Sequence, residues 1–508
     1  MATTTHKDDE VIYKEAALEK GGSPTPDDND PITWFTPEEG RKIRHKIDRR
    51  LVVVLGTMYC VSLMDRTNLS NAAIAGMRVE MEMEGNNRYV RFLPTFRSCR
   101  FRIDKLQAIV TLVFFLTYTL LQPIATPLTR KLGPKMFLSS ICALWGIVMI
   151  GMGVVNDWTH LAALRVILGI FEAGFFPGAV YLLSTWFVRY DVGKRYAVFY
   201  MIGSLASAAA GILAYGLMQM NGLANYAGWR WIFIMEGILT VLISILGFVF
   251  LVPFPDQQAW KCWGFLSERE VRYVIATVEH DRGDAQTEAF TLKRFLTPAK
   301  DLKVWGFAMI FLCTTTMAYA LAFFLPIILF LSMGFTIAQS QCLVAPPYAF
   351  AAVVMWVESW IGDKYRMRGP QIIFNATVAI IGLALMGWAT SSGVRYFGVF
   401  VCCAGVQANV VMVMSFQANN IRGQWKRAFC SASLVGFGGI GGIAGSLVFR
   451  EMDRPRYIPG LWACIAASLI TIVITLILQL HFKLQNRAAD RGEKNNLEGG
   501  GPTFRYTL

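Results

Sequence analysis

Long apolar runs recur along this chain between short polar stretches, and each approaches the roughly 20 residues a helix needs to cross a bilayer. Twelve runs predict transmembrane helices at 50–70, 107–128, 136–155, 161–187, 197–219, 231–252, 304–331, 339–361, 371–390, 395–416, 428–449 and 460–482. The largest gap, Pro253 to Lys303, divides them six and six. The expected fold is therefore an all-α integral membrane protein. Its parts would be a tail at 1–49, a six-helix half at 50–252, a central loop at 253–303, a second half at 304–482 and a tail at 483–508.

The first run is interrupted. It reads LVVVLGTMYCVSLMDRTNLSNAAIAGM from Leu51 to Met77, with Asp65 and Arg66 adjacent and Asn68 and Asn71 close behind. Ionisable groups in hydrocarbon cost several kcal/mol, so such residues face a partner or a water-filled cavity. The fourth run carries Arg165 and Glu172, seven apart and so on one helical face, with Gly169 between them. That spacing exceeds an i,i+4 pair, so each is expected to meet a group on another helix. Adjacent helical positions point about 100° apart, so Asp65 and Arg66 face different neighbours. Asp65 is expected to pair with Arg165, with Asn68 on the same face, leaving Arg66 to meet an anion. A purely structural salt-bridge set is the alternative, but membrane carboxylates commonly mark proton pathways.

Composition agrees with a membrane chain: 508 residues are 54% hydrophobic and 16% charged, where soluble domains are about a quarter charged. The net charge of +13 does not point to nucleic acid, because the basic residues fall mostly in short loops where they set orientation. The ten cysteines show no CxxC spacing, and the five histidines lie at or beyond span ends, so no metal site and no cofactor is expected. Residues 1–50 hold no apolar signal-peptide core, so the first span is expected to direct insertion.

Lys and Arg gather in the N-terminal tail and in the loops holding Arg130/Lys131/Lys135, Arg189/Lys194/Arg195, Lys364/Arg366/Arg368 and Arg422/Lys426/Arg427. Those loops, and both termini, are expected to be cytoplasmic. The first outer loop is the exception, with seven basic residues between Arg78 and Lys105. Two accounts stand: an outer loop that attracts anions, or an atypical insert at 90–107, Val90 to Gln107, translated from an unspliced intron. In the central loop Ser267 and Glu270 fit a capping box, and Val271, Val274, Ile275 and Val278 recur at helical spacing. A helix against the bundle or on the membrane surface is expected there, and disorder beyond Asn486.

The turns after the second and eighth spans match: Pro127 to Lys135, and Trp360 to Pro370. Equivalent turns in two halves suit a transporter built of repeats, with its substrate site at the midplane between them. Arg130, Lys131, Asp363, Lys364 and Arg368 are candidate cytoplasmic gate residues. Among amides inside spans, Gln407, Asn409 and Gln417 of the tenth are candidate substrate contacts, although intramembrane amides more often bond helix to helix. Gly436, Gly438 and Gly441 satisfy G-x-G-x-x-G without a preceding strand, so Gly438/Gly442 and Gly441/Gly445 are taken as close-packing positions.

Three segments together resemble the anion:cation symporter branch of the major facilitator superfamily. They are Asp65-Arg66-Thr-Asn68-Leu-Ser-Asn71-Ala, then Arg165 with Gly169, Glu172, Ala173, Gly174, Pro177 and Gly178, then Gly228-Trp-Arg-Trp-Ile-Phe-Ile-Met-Glu236. Gln417-Ala-Asn-Asn-Ile-Arg-Gly-Gln-Trp-Lys-Arg-Ala428 is similar to its fungal allantoate, nicotinate and pantothenate permease-like members. The resemblance implies alternating access and proton-coupled uptake of a small organic anion by a monomeric plasma-membrane protein. It makes Asp65 and Glu172 protonation sites, Arg66 a substrate-carboxylate contact and Arg165 the partner of the acids; Asn68, a polar residue in the same span, is a further candidate substrate contact. The chain departs from the superfamily pattern where no Asp precedes Arg130. Export of a secondary metabolite and nutrient sensing are the competing readings. The missing Pro-Gly in Gly203 to Gly211 weighs against export, short tails against a sensor, and the lack of a catalytic cluster against an enzyme.

Overall fold

The computed structural model describes residues 31–77, 80–81, 106–188, 191–257, 261–282, 291–449, 453, 456–493, 497–499 and 504–508. Val90 to Lys105, most of the atypical insert, lies outside the described residues. Among the described residues all regular structure is helical, and each of the twelve apolar runs falls on a helix. The first half comprises α1 (Pro37–Ile47), α2 (Val53–Ala72), α3 (Leu106–Leu132), α4 (Pro134–Val154), α5 (Trp158–Glu172), α6 (Phe175–Trp186), α7 (Val192–Met218) and α8 (Gly228–Phe250). The loop helix α9 (Glu268–Arg282) follows. The second half comprises α10 (Leu302–Leu331), α11 (Ile337–Cys342), α12 (Ala345–Tyr365), α13 (Gly369–Trp388), α14 (Ser392–Asn420), α15 (Gln424–Val448) and α16 (Ile458–Asp490).

Ten spans are long and apolar enough to cross a membrane, with α5–α6 and α11–α12 each counted as one. Helix α2 falls short because Asp65, Arg66, Asn68 and Asn71 dilute its hydropathy, and α3 contributes the shorter apolar stretch Leu112–Gln122. The fourth expected run is broken at Ala173–Gly174, just ahead of Pro177, and the eighth just ahead of Pro346 and Pro347. Proline supplies no N–H to the preceding turn, which is where each rod bends.

Both halves pack by one pattern. Helix α2 lies on α7, α4 on α8 and α3 on α5; correspondingly α10 lies on α15, α13 on α16 and α12 on α14. The halves meet along α7 with α12 and along α3 with α15. The glycine rows expected to allow close approach do so: a methyl on Gly445 would meet the Thr316 carbonyl oxygen of α10 at 2.6 Å. The described cysteines are free.

The loops expected to share one side gather at one end of the bundle. Ser267 caps α9 as the capping box predicts, donating its N–H to Glu270 at 2.7 Å. Val271, Val274 and Val278 are buried, so α9 is docked against the protein. Lys46 donates to Glu270 at 2.8 Å. Burial pushes the Glu270 carboxyl up, but hydrogen bonds from Lys46 and Ser267 outweigh it and hold it below the usual range.

Beyond Asn486 the expectation of disorder is corrected. Helix α16 continues to Asp490, and residues 504–508 fold back on the second half with Phe504 and Tyr506 buried. Tyr506 stacks on Phe482 at 4.6 Å, and the Asn420 side chain bonds the Thr507 backbone at 2.8 and 3.2 Å. A composition rich in Gly and polar residues hid two aromatics spaced to fit this groove.

Candidate functional site

Helix α2 places its two charged residues on different walls, as the 100° step between neighbours requires. Arg66 faces a central cavity between the halves. Its guanidinium meets Glu172 of α6's neighbour α5 at 2.5 Å, and Ser62 donates to the same carboxylate oxygen at 2.5 Å. Arg66 also donates to the hydroxyls of Tyr118 on α3, at 3.0 Å, and Tyr319 on α10. The guanidinium carbon lies 4.6 Å from the Tyr118 ring centre and 5.8 Å from that of Tyr319. Arg66 is 4% exposed and Glu172 fully buried. A buried pair of this kind persists only because each charge compensates the other, and removing one partner costs about 3–5 kcal/mol.

Asp65 looks the other way, toward α4 and α8. The Trp145 indole N–H donates to it at 3.1 Å and the Thr240 hydroxyl at 3.3 Å. Asn68, one turn further on, donates its amide to Glu236 of α8. The expected Asp65–Arg165 pair is not formed. Arg165 is buried with two guanidinium nitrogens unpartnered, while Glu172 on the same helix has gone to Arg66. The ion pair thus uses the other charged residue of each helix, which leaves Arg66 compensated instead of free.

The other candidates separate by position. Gln407 lines the central cavity and accepts a hydrogen bond from the Tyr200 hydroxyl at 3.0 Å. Asn68 and Asn409 do not line it. Each lies two residues, about 200° of helix, past a residue that does, and so points away from the cavity. Gln417 is ten residues beyond Gln407, about 15 Å along the axis. It lines a separate, smaller cavity with Arg427 and Ser184, and donates to the Cys430 carbonyl at 2.7 Å.

The expected gate residues also divide. Asp363 of α12 pairs with Arg368 of its own turn and, at 3.7 Å across the halves, with Lys194 of α7. Arg130 instead pairs with Asp256 of its own half at 2.6 Å. Lys364 lies over the Trp360 ring at 4.9 Å, and Lys131 is exposed, so neither joins a cross-half contact. A further cross-half contact, at the same end as Asp363 and Lys194, is made by Arg427 of α15, which donates to the Ser184 carbonyl and hydroxyl at 2.9 Å each.

Several site groups escaped the sequence reading. Glu236 and Glu358 are buried carboxylates inside apolar runs, and the test that singled out Glu172 also picks them out. Glu358 receives the Asn375 amide at 2.5 Å. Tyr118, Tyr319 and Trp145 carried no signal, because aromatic residues are common throughout membrane helices.

Two six-helix halves meeting around a buried charged cavity define a secondary transporter. The chain belongs to the Major Facilitator Superfamily, whose family model matches residues 55–446. It is 27% identical over 504 residues to the high-affinity nicotinic acid transporter of Saccharomyces cerevisiae, covering 97% of this chain and 89% of that one. The major facilitator-type transporter hxnP of Emericella nidulans is 29% identical over 489 residues, with 94% and 93% covered. Among solved structures, the proton:xylose symporter XylE superposes with a TM-score of 0.66 at 13% identity, covering 85% of this chain and 96% of that chain. The family is one of multi-pass membrane transporters of small molecules, not of enzymes.

Proposed function

We propose that the protein is a proton-coupled symporter that takes up a small organic anion by alternating access. The observation that carries this reading is the Arg66–Glu172 pair, with Arg66 in the wall of the cavity between the halves and Glu172 buried behind it. A substrate carboxylate entering the cavity competes with Glu172 for one guanidinium. Glu172, displaced and buried, is too costly to keep as a bare anion, so it takes a proton. Anion and proton then enter together, and the site stays neutral through the half-cycle. The name of the yeast relative, a nicotinic acid transporter, is in keeping with a carboxylate substrate. Asp65 stands behind the pair as a second candidate proton site, with Arg165 as its reserve partner in another conformation. Asp363 with Lys194 and Arg427 with Ser184 close the end that, in this reading, is cytoplasmic together with both termini, with the plasma membrane as the location.

Glu172→Gln tests the coupling. Glutamine holds Arg66 less tightly and carries no proton, so the variant is expected to bind and exchange anion while losing accumulation against a gradient. Uphill uptake at the wild-type level by Glu172→Gln in proteoliposomes refutes the coupling role.

A further inference from the structure

The acids and bases packed around α2 do not balance. Three carboxyls, Asp65, Glu172 and Glu236, are buried there with two guanidiniums, Arg66 and Arg165. Arg230, on the same helix as Glu236, is taken by Glu80 at 2.9 Å. Fully ionised, the group would carry one surplus negative charge away from water, where an unpaired carboxylate neutralises itself by taking up a proton. One proton therefore belongs to the group.

The partners say which carboxyl holds it. Glu172 faces Arg66, and a carboxylate beside a guanidinium stays ionised. Asp65 receives the Trp145 indole N–H, and Arg165 lies near enough to offset its charge. Glu236 has no such help. Among the described residues no cation pairs with it, and the titratable groups that face it, Asp65 and Cys60 of α2, bring no positive charge. Helices α4 and α7, which also pack on α8, carry their charges only in their first turns, at Lys135, Lys194 and Arg195. The Asn68 amide donates to Glu236 Oε2, while Glu236 Oε1 and Asn68 Oδ1 are both buried without a partner. On a carboxylate both of these atoms are acceptors, and nothing in the contact can satisfy them. A carboxylic acid supplies the missing donor: an O–H on Oε1 turns to Asn68 Oδ1 while Asn68 Nδ2 keeps its bond to Oε2, which closes a two-bond acid–amide pair.

We infer that Glu236 holds a resident proton and works as a neutral positioning acid that pins α2 to α8. The inference rests on the symport reading only in leaving Asp65 and Glu172 as the acids that exchange protons. Asn68 stands two residues from Arg66 and three from Asp65, so the acid–amide pair fixes the rotation of α2 and with it the direction in which both charges point. Because the acid acts in its uncharged form, glutamine is its isostere, and the added Nε2 offers Asn68 Oδ1 the same hydrogen.

Infrared spectra of the full-length protein in proteoliposomes at neutral pH read this proton directly, since a neutral carboxylic acid has a carbonyl stretch that a carboxylate lacks. The difference of wild type minus Glu236→Gln is expected to show one such acid band, shifting in heavy water. Glu358, which receives the Asn375 amide at 2.5 Å, is common to both proteins and cancels. Thermal unfolding of the same preparations should leave Glu236→Gln close to wild type and lower Glu236→Ala, which strands the Asn68 amide, by about 2–4 °C. A difference spectrum without the acid band, or Glu236→Gln melting as low as Glu236→Ala, overturns the inference. Where Glu236→Gln fails to integrate, Asn68→Ala decides: the Glu236 band must move once its amide partner is gone, and an unmoved band overturns the inference equally. These measurements use neither substrate nor gradient, so a loss of gradient-driven uptake would sink the symport reading and leave this one standing.

Discussion

Helix α3 ends ahead of Gly133 and helix α12 ahead of Arg366, both in left-handed backbone with φ of 82° and 53°. Three residues before each stands a charged side chain, Arg130 in the first half and Asp363 in the second. Asp363 reaches across to Lys194 at the start of α7, whereas Arg130 turns back to Asp256 of its own half. The starts of α7 and α15 repeat a Lys-Arg pair, Lys194-Arg195 and Lys426-Arg427. With an arginine where the first half would need an acid, Lys426 is held within its own half, by Asp301 at 2.8 Å and Glu498 at 2.6 Å. Arg427 crosses to Ser184 by donating to two neutral oxygens. The two halves therefore share a packing pattern and differ in how their ends are tied. Chemistry is divided unequally too: Asp65, Arg66, Arg165, Glu172 and Glu236 belong to the first half, while the second supplies Tyr319 and Gln407 to the cavity and one buried carboxylate, Glu358, away from its lining.

Breaking the first half's charge should have the largest effect. Arg66→Ala removes the cavity's cation and strands Glu172, and is expected to weaken binding of the anionic substrate by about a hundredfold, within the roughly 2–5 kcal/mol that truncating one partner of a buried charge pair costs in binding. Binding within a factor of three of wild type would show that the second half holds the anion. Next come the two turns. Lys194→Met removes the cross-half ion pair, whose lysine is partly exposed, and leaves Asp363 with Arg368, a loss of about 1 kcal/mol. It should raise labelling of a cysteine placed in the Gln417 cavity about fivefold. Arg130→Ala breaks a pair confined to one half and should change that labelling less than twofold; equal responses would erase the distinction between the turns.

The smallest effect is expected at Glu498. Burial pushes this carboxyl up, but hydrogen bonds from Lys303 and Lys426 outweigh it and hold it below the ordinary range. A depressed folded value means the contact contributes fully above about pH 4.3, the ordinary glutamate value, and is lost as pH falls through the lowered one. Hydrogen exchange at residues 504–508 should therefore gain amplitude on acidification below that range in wild type, and gain less in Glu498→Gln, which has already lost the charge.

The helices were legible because a bilayer imposes one length and one polarity on every span. Arg66, Glu172 and Gln407 were legible as cavity candidates because polar groups in apolar runs are costly wherever they occur. Their pairing was not. A helical face can be counted from spacing, but which of two acids an arginine meets depends on the rotation and depth of separate helices, and Arg66 with Glu172 differs from Asp65 with Arg165 only in that. Asn68 and Asn409 were assigned to the cavity by residue type alone; counting 200° from Arg66 and Gln407 would have turned both away. The docked tail was hidden for a different reason, since Tyr506 finds its partner Phe482 only once α16 and the loops around it are in place.

The polar side of α2 also bears on how the chain is made. Asn68 waits for Glu236, 168 residues later, and Arg66 for Tyr319, 253 residues later. During synthesis the first helix emerges with its acid, base and amides unsatisfied, and a lone segment of that kind partitions poorly into lipid. Its stable insertion is then a collective event. Helix α2 leaves the ribosome well before its partners and is among the last to be settled, so a substitution at Glu236 can appear as a failure to integrate residues that were translated long before it.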